Sequence, residues 1–331
     1  MINVGFIGLG GMGSHQITSF GKVRGCRIVA GADLADAGRE RFAKNHPKAA
    51  VYTNYRDLLK DSNVDAVVVA VPTGYHAKVA MDVMRSGRPV LCEKPMARTV
   101  SAARKMIDTS NKTRQLLMIA HCRRYDEDWG GFAKIVNAGT LGRPLLWRHV
   151  MGGRGPGGWF MDDKLGGGPL IDGAVHNYDF ANYIFGDPDE VMASSIKLSG
   201  HSAVDTASAV VRYKKGDQLM VSWSWHAPGG GCHDALGPRA SVMFGAGPLA
   251  DKVKNDGQIN YCIMDHKRGP TLKQFRRGNV DMYVKQGRHF LECIGSKAKC
   301  KSSGPESIKA VAVAEALLKA APTGGKRKVV W

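Results

Sequence analysis

Asn3-Val4-Gly5-Phe6-Ile7-Gly8-Leu9-Gly10-Gly11-Met12-Gly13 is the stretch that decides the fold. An apolar run ends in glycines spaced Gly8-x-Gly10-x-x-Gly13, and Ser14 to Phe20 then has helical character. In a strand–turn–helix of this kind, Gly8 permits the tight turn. Gly10 lets the backbone approach a pyrophosphate, with Gly11 and Met12 completing the turn. Gly13 lets helix and strand pack closely, and the helix N-terminus offers amide donors and partial positive charge. Cys26 to Ala32 reads as a second strand ending at Asp33, 20 residues after Gly13. An acid there accepts hydrogen bonds from an adenosine ribose and repels a 2′-phosphate, so NAD is expected and NADP is disfavoured. A glycine triplet alone is weak evidence; the flanking strand, helix, second strand and acid make this one specific.

The same alternation continues to residue 120. Ala35 to Lys44, Tyr55 to Lys60, His76 to Ser86 and Thr99 to Lys112 read as helices. Val51-Tyr52, the β-branched run Val64 to Val71, Val90 to Cys92 and Leu116 to Ala120 read as strands. Strands alternating with helices predict a doubly wound parallel sheet, whose ligands bind outside the carboxyl ends of its strands. Two segments fall at such ends. After Val71 come Pro72, Thr73 and His76, which are expected to line the nicotinamide side, although a helix-capping role for Thr73 reads equally well. After Val90-Leu91-Cys92 come Glu93, Lys94 and Pro95. Lys94 then faces whatever the fold binds, the alternative being a solvated strand-end lysine. Glu93 either holds that lysine or only ends the strand.

Near residue 121 the pattern changes. Asp128 to Ala138 and Leu170 to Phe185 read as helices, and Val280 to Ile294 and Ser307 to Ala320 as closing helices. Pro144 to Val150, Val191 to Leu198, Ala207 to Tyr213, Leu219 to Trp225 and Arg239 to Phe244 read as strands, with a hairpin turn at Lys214-Lys215-Gly216-Asp217. Strands separated by turns predict a mainly antiparallel sheet. The chain is expected to divide into an NAD-binding domain at 1–120 and a substrate-binding and oligomerisation domain at 121–331, an ordinary size for two cores. Gly152 to Gly158 and the region 226–238 read as loops.

Composition narrows the class. Hydrophobic residues make up 44% and charged residues 23%, as in a water-soluble globular protein. No apolar run approaches the roughly 20 residues of a membrane span, and the first residues offer no signal-peptide pattern. Seven cysteines without a Cys-x-x-Cys pair predict reduced thiols in a cytoplasmic protein and no metal site. The net charge of +18 is shared evenly, nine before and nine after residue 120. A nucleic-acid binder would gather it on one face or tail, so no nucleic-acid partner is expected.

Asp172 and His176 are four apart in the helix expected after Gly168-Pro169. At that spacing a carboxylate can orient an imidazole and favour its charged form. Removing hydride from an alcohol carbon requires removing the hydroxyl proton, which a histidine can take near neutral pH. The alternative is a solvated helix ion pair. A Lys94 ammonium on the same hydroxyl would favour the forming alkoxide. Arg123 and Tyr125 stand where the second domain begins, facing substrate or forming a structural cluster. Trp159 either stacks on a sugar face or plugs a cleft.

The glycine turn, Asp33, Pro72-Thr73-x-x-His76, Glu93-Lys94-Pro95 and Asp172-x-x-x-His176, in that order, resemble the glucose–fructose oxidoreductase / inositol dehydrogenase / rhizopine-catabolism (Gfo/Idh/MocA) family over nearly the whole chain. The resemblance implies an N-terminal Rossmann domain and a C-terminal α+β domain on an open, mainly antiparallel sheet, α/β overall. It implies homodimers or homotetramers built through that open face. It also implies an NAD-dependent dehydrogenase of a sugar, sugar acid or cyclitol, with Lys94, Asp172 and His176 as its acid–base set. The histidine would be the base, and the proline after the lysine would be cis. The same resemblance admits a glycosidase that keeps NAD and acts by transient oxidation and elimination, or a non-catalytic NAD-binding sensor. The chain departs from the family at His121 and Cys122, where Gly-Phe or Asn-Gln often precede the arginine.

Overall fold

In the computed structural model, which describes residues 1–253, 257–296 and 298–331, the first six strands pair in parallel. They are β1 (Ile2–Ile7), β2 (Cys26–Ala32), β3 (Ala50–Tyr52), β4 (Ala66–Val69), β5 (Val90–Cys92) and β6 (Leu117–Ile119), in the order β3-β2-β1-β4-β5-β6. Helices α1 (Gly11–Phe20), α2 (Asp36–Asn45), α3 (Tyr55–Leu58), α4 (Thr73–Arg85) and α5 (Val100–Thr113) connect them. Every residue of β4, β5 and β6 is buried, because parallel strands covered on both faces present no solvent side. The strand order reverses between β1 and β4, the place where an open α/β sheet forms its binding crevice.

The remaining elements are α6 (Glu127–Asn137), β7 (Leu146–Gly152), α7 (Val175–Phe185), β8 (Pro188–Ile196), β9 (Thr206–Tyr213), β10 (Gln218–Ser224), β11 (Gly231–Leu236), β12 (Ala240–Phe244), β13 (Ile259–Asp265), β14 (Gly269–Phe275), α8 (Met282–Ile294), α9 (Gly304–Ala320) and β15 (Arg327–Lys328). Nine strands form a second sheet in the order β14-β13-β12-β11-β7-β10-β9-β8-β15. Its neighbours are antiparallel except β7 and β10. One face packs on α6 and α7 through an aromatic layer in which Trp129, Phe132 and Phe180 meet Trp147. Alternation sets the faces: Ala207, Ala209, Val211 and Tyr213 of β9 are buried, while Ser208 and Arg212 between them are exposed. The expected hairpin turn joins β9 to β10, closed by Tyr213 N–H donating to the Asp217 carbonyl at 2.9 Å.

The chain forms two compact units. The first is residues 1–122 with 280–311, and the second is 123–279 with 312–331. The change of pattern near residue 121 places all of 121–331 in one domain, whereas in the structure α8 and the first part of α9 belong to the first unit. The reason is apolar. Phe20 of α1 stacks edge-on against Phe6 and meets Phe290 of α8 (centroids 6.4 Å apart), and Gly287 packs on Phe20 and Val23. Periodicity identifies a helix but not the surface it covers. Two further readings are corrected. The stretch 231–236, expected as loop, is strand β11; its Gly, Cys, His and Asp carry little strand propensity, and pairing with β7 decides it through the Arg148–Asp234 ion pair and the stacked rings of His149 and His233. Residues 170–185 are not one α-helix, because Pro169–Gly173 is a π-turn that precedes α7.

Candidate active site

In the first unit the glycine turn is built as its spacing demands. Gly8 has φ +93°, and a Cβ on it would lie 2.5 Å from the Ala70 carbonyl oxygen, which follows β4. A Cβ on Gly13 would lie 1.9 Å from the Gly8 oxygen. Gly10 and Gly11 differ: a Cβ there meets no protein atom within 4 Å. The N-terminus of α1 has no side-chain cap and no acid in its first turn, so its leading N–H groups are left for an anion. Asp33 closes the turn from the side, accepting from Leu9 N–H at 2.6 Å and Ala35 N–H at 2.8 Å. Thr73 Oγ1 is buried and has no hydrogen-bond partner among the described residues. Thr73 is the first residue of α4, whose N-cap Pro72 makes no side-chain bond, so the capping alternative for Thr73 does not hold. An open glycine cradle, uncapped amides, a fixed acid at the end of β2 and an orphaned hydroxyl fit a dinucleotide.

His76 is 1% exposed and does not line an open surface. Its Nδ1 lies 2.7 Å from the Pro95 carbonyl and its Nε2 2.8 Å from the Val71 carbonyl, so it ties the loop after β4 to the turn after β5. The Lys94–Pro95 bond is cis, as the resemblance implies. Glu93 is buried as well. It accepts from Gln16 Nε2 at 2.6 Å and from the Lys94 backbone N–H at 3.2 Å, which ties Lys94 to the helix that begins at the glycine turn. Nothing in the sequence marks Gln16 as that partner, since the pairing spans 77 positions. A cavity of about 300 Å³ between α1 and α2, lined by Leu9, Ser14, Ile17, Arg41, Phe42 and His46 among others, contains none of the acid–base candidates.

In the second unit Asp172 lies on the π-turn and is 4% exposed. His176 follows in the first turn of α7. Ala174 N–H donates to the Pro169 carbonyl at 2.7 Å, the wider i to i+5 closure, a form frequent at functional sites. The spacing of four therefore crosses a π-to-α junction, not a uniform helical face. Gly168 (φ +74°) permits the entry, where a Cβ would collide with the Val204 oxygen. Gly173 sits against Trp223 and Trp225, so the turn rests on two indoles at the end of β10. Phe160 meets Trp225 edge-on, and Trp159 stacks on Phe160 with centroids 3.8 Å apart, which occupies one indole face. The alternating Trp223-Ser224-Trp225 was a legible strand signal, but its role behind Gly173 was not.

Arg123 and Tyr125 belong to a 3-10 turn, Cys122–Tyr125. Arg124 holds that turn to α7 by two bonds to the Asp179 carboxylate, at 2.9 and 2.6 Å, with both side chains at most 3% exposed. The Arg123 guanidinium lies 4.2 Å from the Trp129 ring centroid, a cation–π contact. Behind it His149 and His233 stack with centroids 5.2 Å apart. Burial, and then the Arg123 charge, push His149 down to about 3 and His233 down to about 4, so both rings are neutral near pH 7. No group of three or more potential ligands that could hold a metal occurs among the described residues. No helix among them is long and apolar enough to cross a membrane.

Comparison with known proteins agrees with this architecture. Residues 2–121 match the model of the oxidoreductase family with an NAD-binding Rossmann fold, and residues 132–247 match the GFO/IDH/MocA C-terminal domain. Inositol 2-dehydrogenase 2 of Saccharopolyspora erythraea is 34% identical over 99% of this chain and 95% of its own. Myo-inositol 2-dehydrogenase of Thermotoga maritima is 29% identical over 92% of each. Two solved structures share the fold: a levoglucosan dehydrogenase in complex with NADH (TM-score 0.86, 18% identity, 99% of each chain) and the aldose–aldose oxidoreductase of Caulobacter crescentus (TM-score 0.85, 21% identity, 99% of each chain). With the strand order, the glycine cradle and a full-length relative at this identity in agreement, the chain belongs to the GFO/IDH/MocA family of NAD-binding oxidoreductases.

Proposed function

We propose that this oxidoreductase acts on a secondary hydroxyl of a cyclitol or sugar, with an inositol as the first substrate to try. Bound NAD supplies the hydride acceptor; Gly8, Gly10, Gly11, Met12, Gly13 and Asp33 hold its adenosine and pyrophosphate, and Thr73 offers a hydroxyl. His176 takes the proton of the substrate hydroxyl. Asp172 orients the imidazole and favours its charged form after transfer. Lys94 donates to the substrate oxygen and favours the alkoxide. Arg123, Tyr125 and Trp159 face the remaining hydroxyls. Glu93 and His76 are positioning residues in this reading, since both are buried and engaged by the chain itself.

One observation carries the reading: a buried carboxylate on a π-turn immediately precedes the helix that bears His176. A solvated ion pair would not need burial. The names of the full-length relatives support a cyclitol. The test is NADH formation from a panel of inositols, aldoses and uronates. The His176→Ala enzyme is expected to lose about 10²- to 10⁴-fold in kcat, the range of a general base, while binding NAD as before. Equal turnover would remove the assignment. Glycoside cleavage without net NADH would replace the dehydrogenase by a glycosidase. Self-association through the exposed face of the nine-stranded sheet belongs to the same reading. Val150, Ile196 and Met243 lie exposed there, and light scattering tests it.

A further inference from the structure

The aromatic layer of the second unit ends on a cation. Trp129 of α6 is enclosed by rings from four other elements. They are Trp147 of β7 (centroids 5.6 Å apart), Phe180 of α7 (5.2 Å), His233 of β11 (5.4 Å) and Phe244 of β12 (5.2 Å). Its backbone N–H donates to the carboxylate of Asp126, the N-cap of α6, at 3.0 Å, so the main chain is held as well. An indole wedged in this way cannot turn to follow a mobile side chain; the side chain must come to it. The Arg123 guanidinium does, at 4.2 Å from the ring centroid.

The layer would bury its apolar surface without a cation, so burial alone does not account for Arg123. Trp offers the strongest cation–π face of the aromatic side chains. The contact uses the charge and none of the five N–H donors, so it fixes the guanidinium without consuming its hydrogen bonds. Arg124 fixes the backbone beside it. Its two bonds to Asp179, at 2.9 and 2.6 Å, reach a residue three positions after His176 on α7. The turn that carries Arg123 is thereby tied to the helix that carries the proposed base.

We propose that Trp129 is a positioning residue, whose indole holds the Arg123 guanidinium at a fixed place relative to α7 and so sets how the polyol is presented to His176. This rests on the reading above in which Arg123 faces the substrate hydroxyls. Arg123 holds those hydroxyls alike before and during hydride transfer, so losing its platform raises KM more than it lowers kcat. The sequence gives Trp129 no mark of this role, because the rings that wedge it come from residues 147 to 244.

The test is a double-mutant cycle on the steady-state constants at saturating NAD. The substrate is myo-inositol, or the member of the panel above that yields NADH fastest. Trp129→Leu is expected to raise KM about 3- to 30-fold, the range of one cation–π contact, with a smaller change in kcat. Trp129→Tyr, which keeps a π face, is expected to recover most of that loss. Arg123→Met raises KM as well, and adding Trp129→Leu to it is expected to change KM by less than about twofold, because the platform then has nothing to hold. A Trp129→Leu chain with the parent KM would overturn the inference. So would a rise of the same size in the Arg123 and Arg123→Met chains, which would make Trp129 a core residue only. An Arg123→Met chain with the parent KM removes instead the reading that Arg123 faces substrate, and the inference with it. Should Trp129→Leu fail to fold, Trp129→Phe completes the cycle. Its weaker π face is expected to raise KM in the Arg123 chain and not in the Arg123→Met chain, and equal effects in both would overturn the inference.

Discussion

Replacing Gly10 by alanine separates coenzyme binding from folding. Gly10 has φ −68° and ψ −162°, which alanine adopts without strain, and the added Cβ meets no protein atom within 4 Å. The apo protein therefore loses only about 0.5 kcal/mol, the scale of a surface or N-cap change. The same Cβ intrudes where the pyrophosphate must approach the α1 amides. Losing one or two charge-assisted hydrogen bonds of about 1.5–2 kcal/mol each weakens binding by about 1.5–4 kcal/mol, or roughly 10- to 700-fold in Kd. Gly13→Ala behaves differently. Its Cβ would lie 1.9 Å from the Gly8 oxygen, a backbone atom that cannot rotate away, so folding itself loses about 3 kcal/mol or more. The assay is isothermal titration with NAD beside thermal melts of the apo proteins. A Gly10→Ala protein that binds NAD within twofold of the parent would refute the assignment of the cradle. A Gly13→Ala protein with an unchanged Tm would refute the packing argument.

Other outcomes follow from buried polar groups. Arg124→Met strands the Asp179 carboxylate inside the second unit and is expected to cost about 3–5 kcal/mol in denaturant melts, whereas Arg124→Met with Asp179→Leu recovers most of that loss; equal losses would contradict a buried pair. Gln16→Leu removes the donor to Glu93 and is expected to cost about 1–3 kcal/mol and to raise the KM of whichever ligand Lys94 touches; a neutral result would detach Glu93 from α1. His149 titrates near 6.5 when unfolded but only at about 3 when folded, so unfolding takes up a proton between those values. Its contribution is whole above about pH 6.5 and is lost as pH falls toward about 3. His149→Phe should therefore flatten the fall in Tm on acidification, and an unchanged slope would assign the acid sensitivity elsewhere.

Much of this was written locally. The glycine spacing, the acid ending β2 and the strand–helix alternation are consequences of φ preferences, hydrogen bonding and periodicity within a few residues of one another. They are enough to specify the parallel sheet, its binding edge and an NAD-binding turn. That Lys94 follows a strand end and that His176 lies on a helix was also legible, because their neighbours in sequence mark those elements.

What the sequence could not supply depends on groups far apart in the chain. The π-turn under Asp172 exists because Gly168 can enter at positive φ and Gly173 fits against Trp223 and Trp225, some 50 positions on. Strand β11 exists because β7 offers an edge. Helix α8 belongs to the NAD-binding unit because Phe20 and Phe290 bury each other. Gln16 finds Glu93 and Arg124 finds Asp179 only once the backbone has placed them. Local sequence sets torsions and periods; the partner of a buried polar group is chosen by packing, which no single stretch contains.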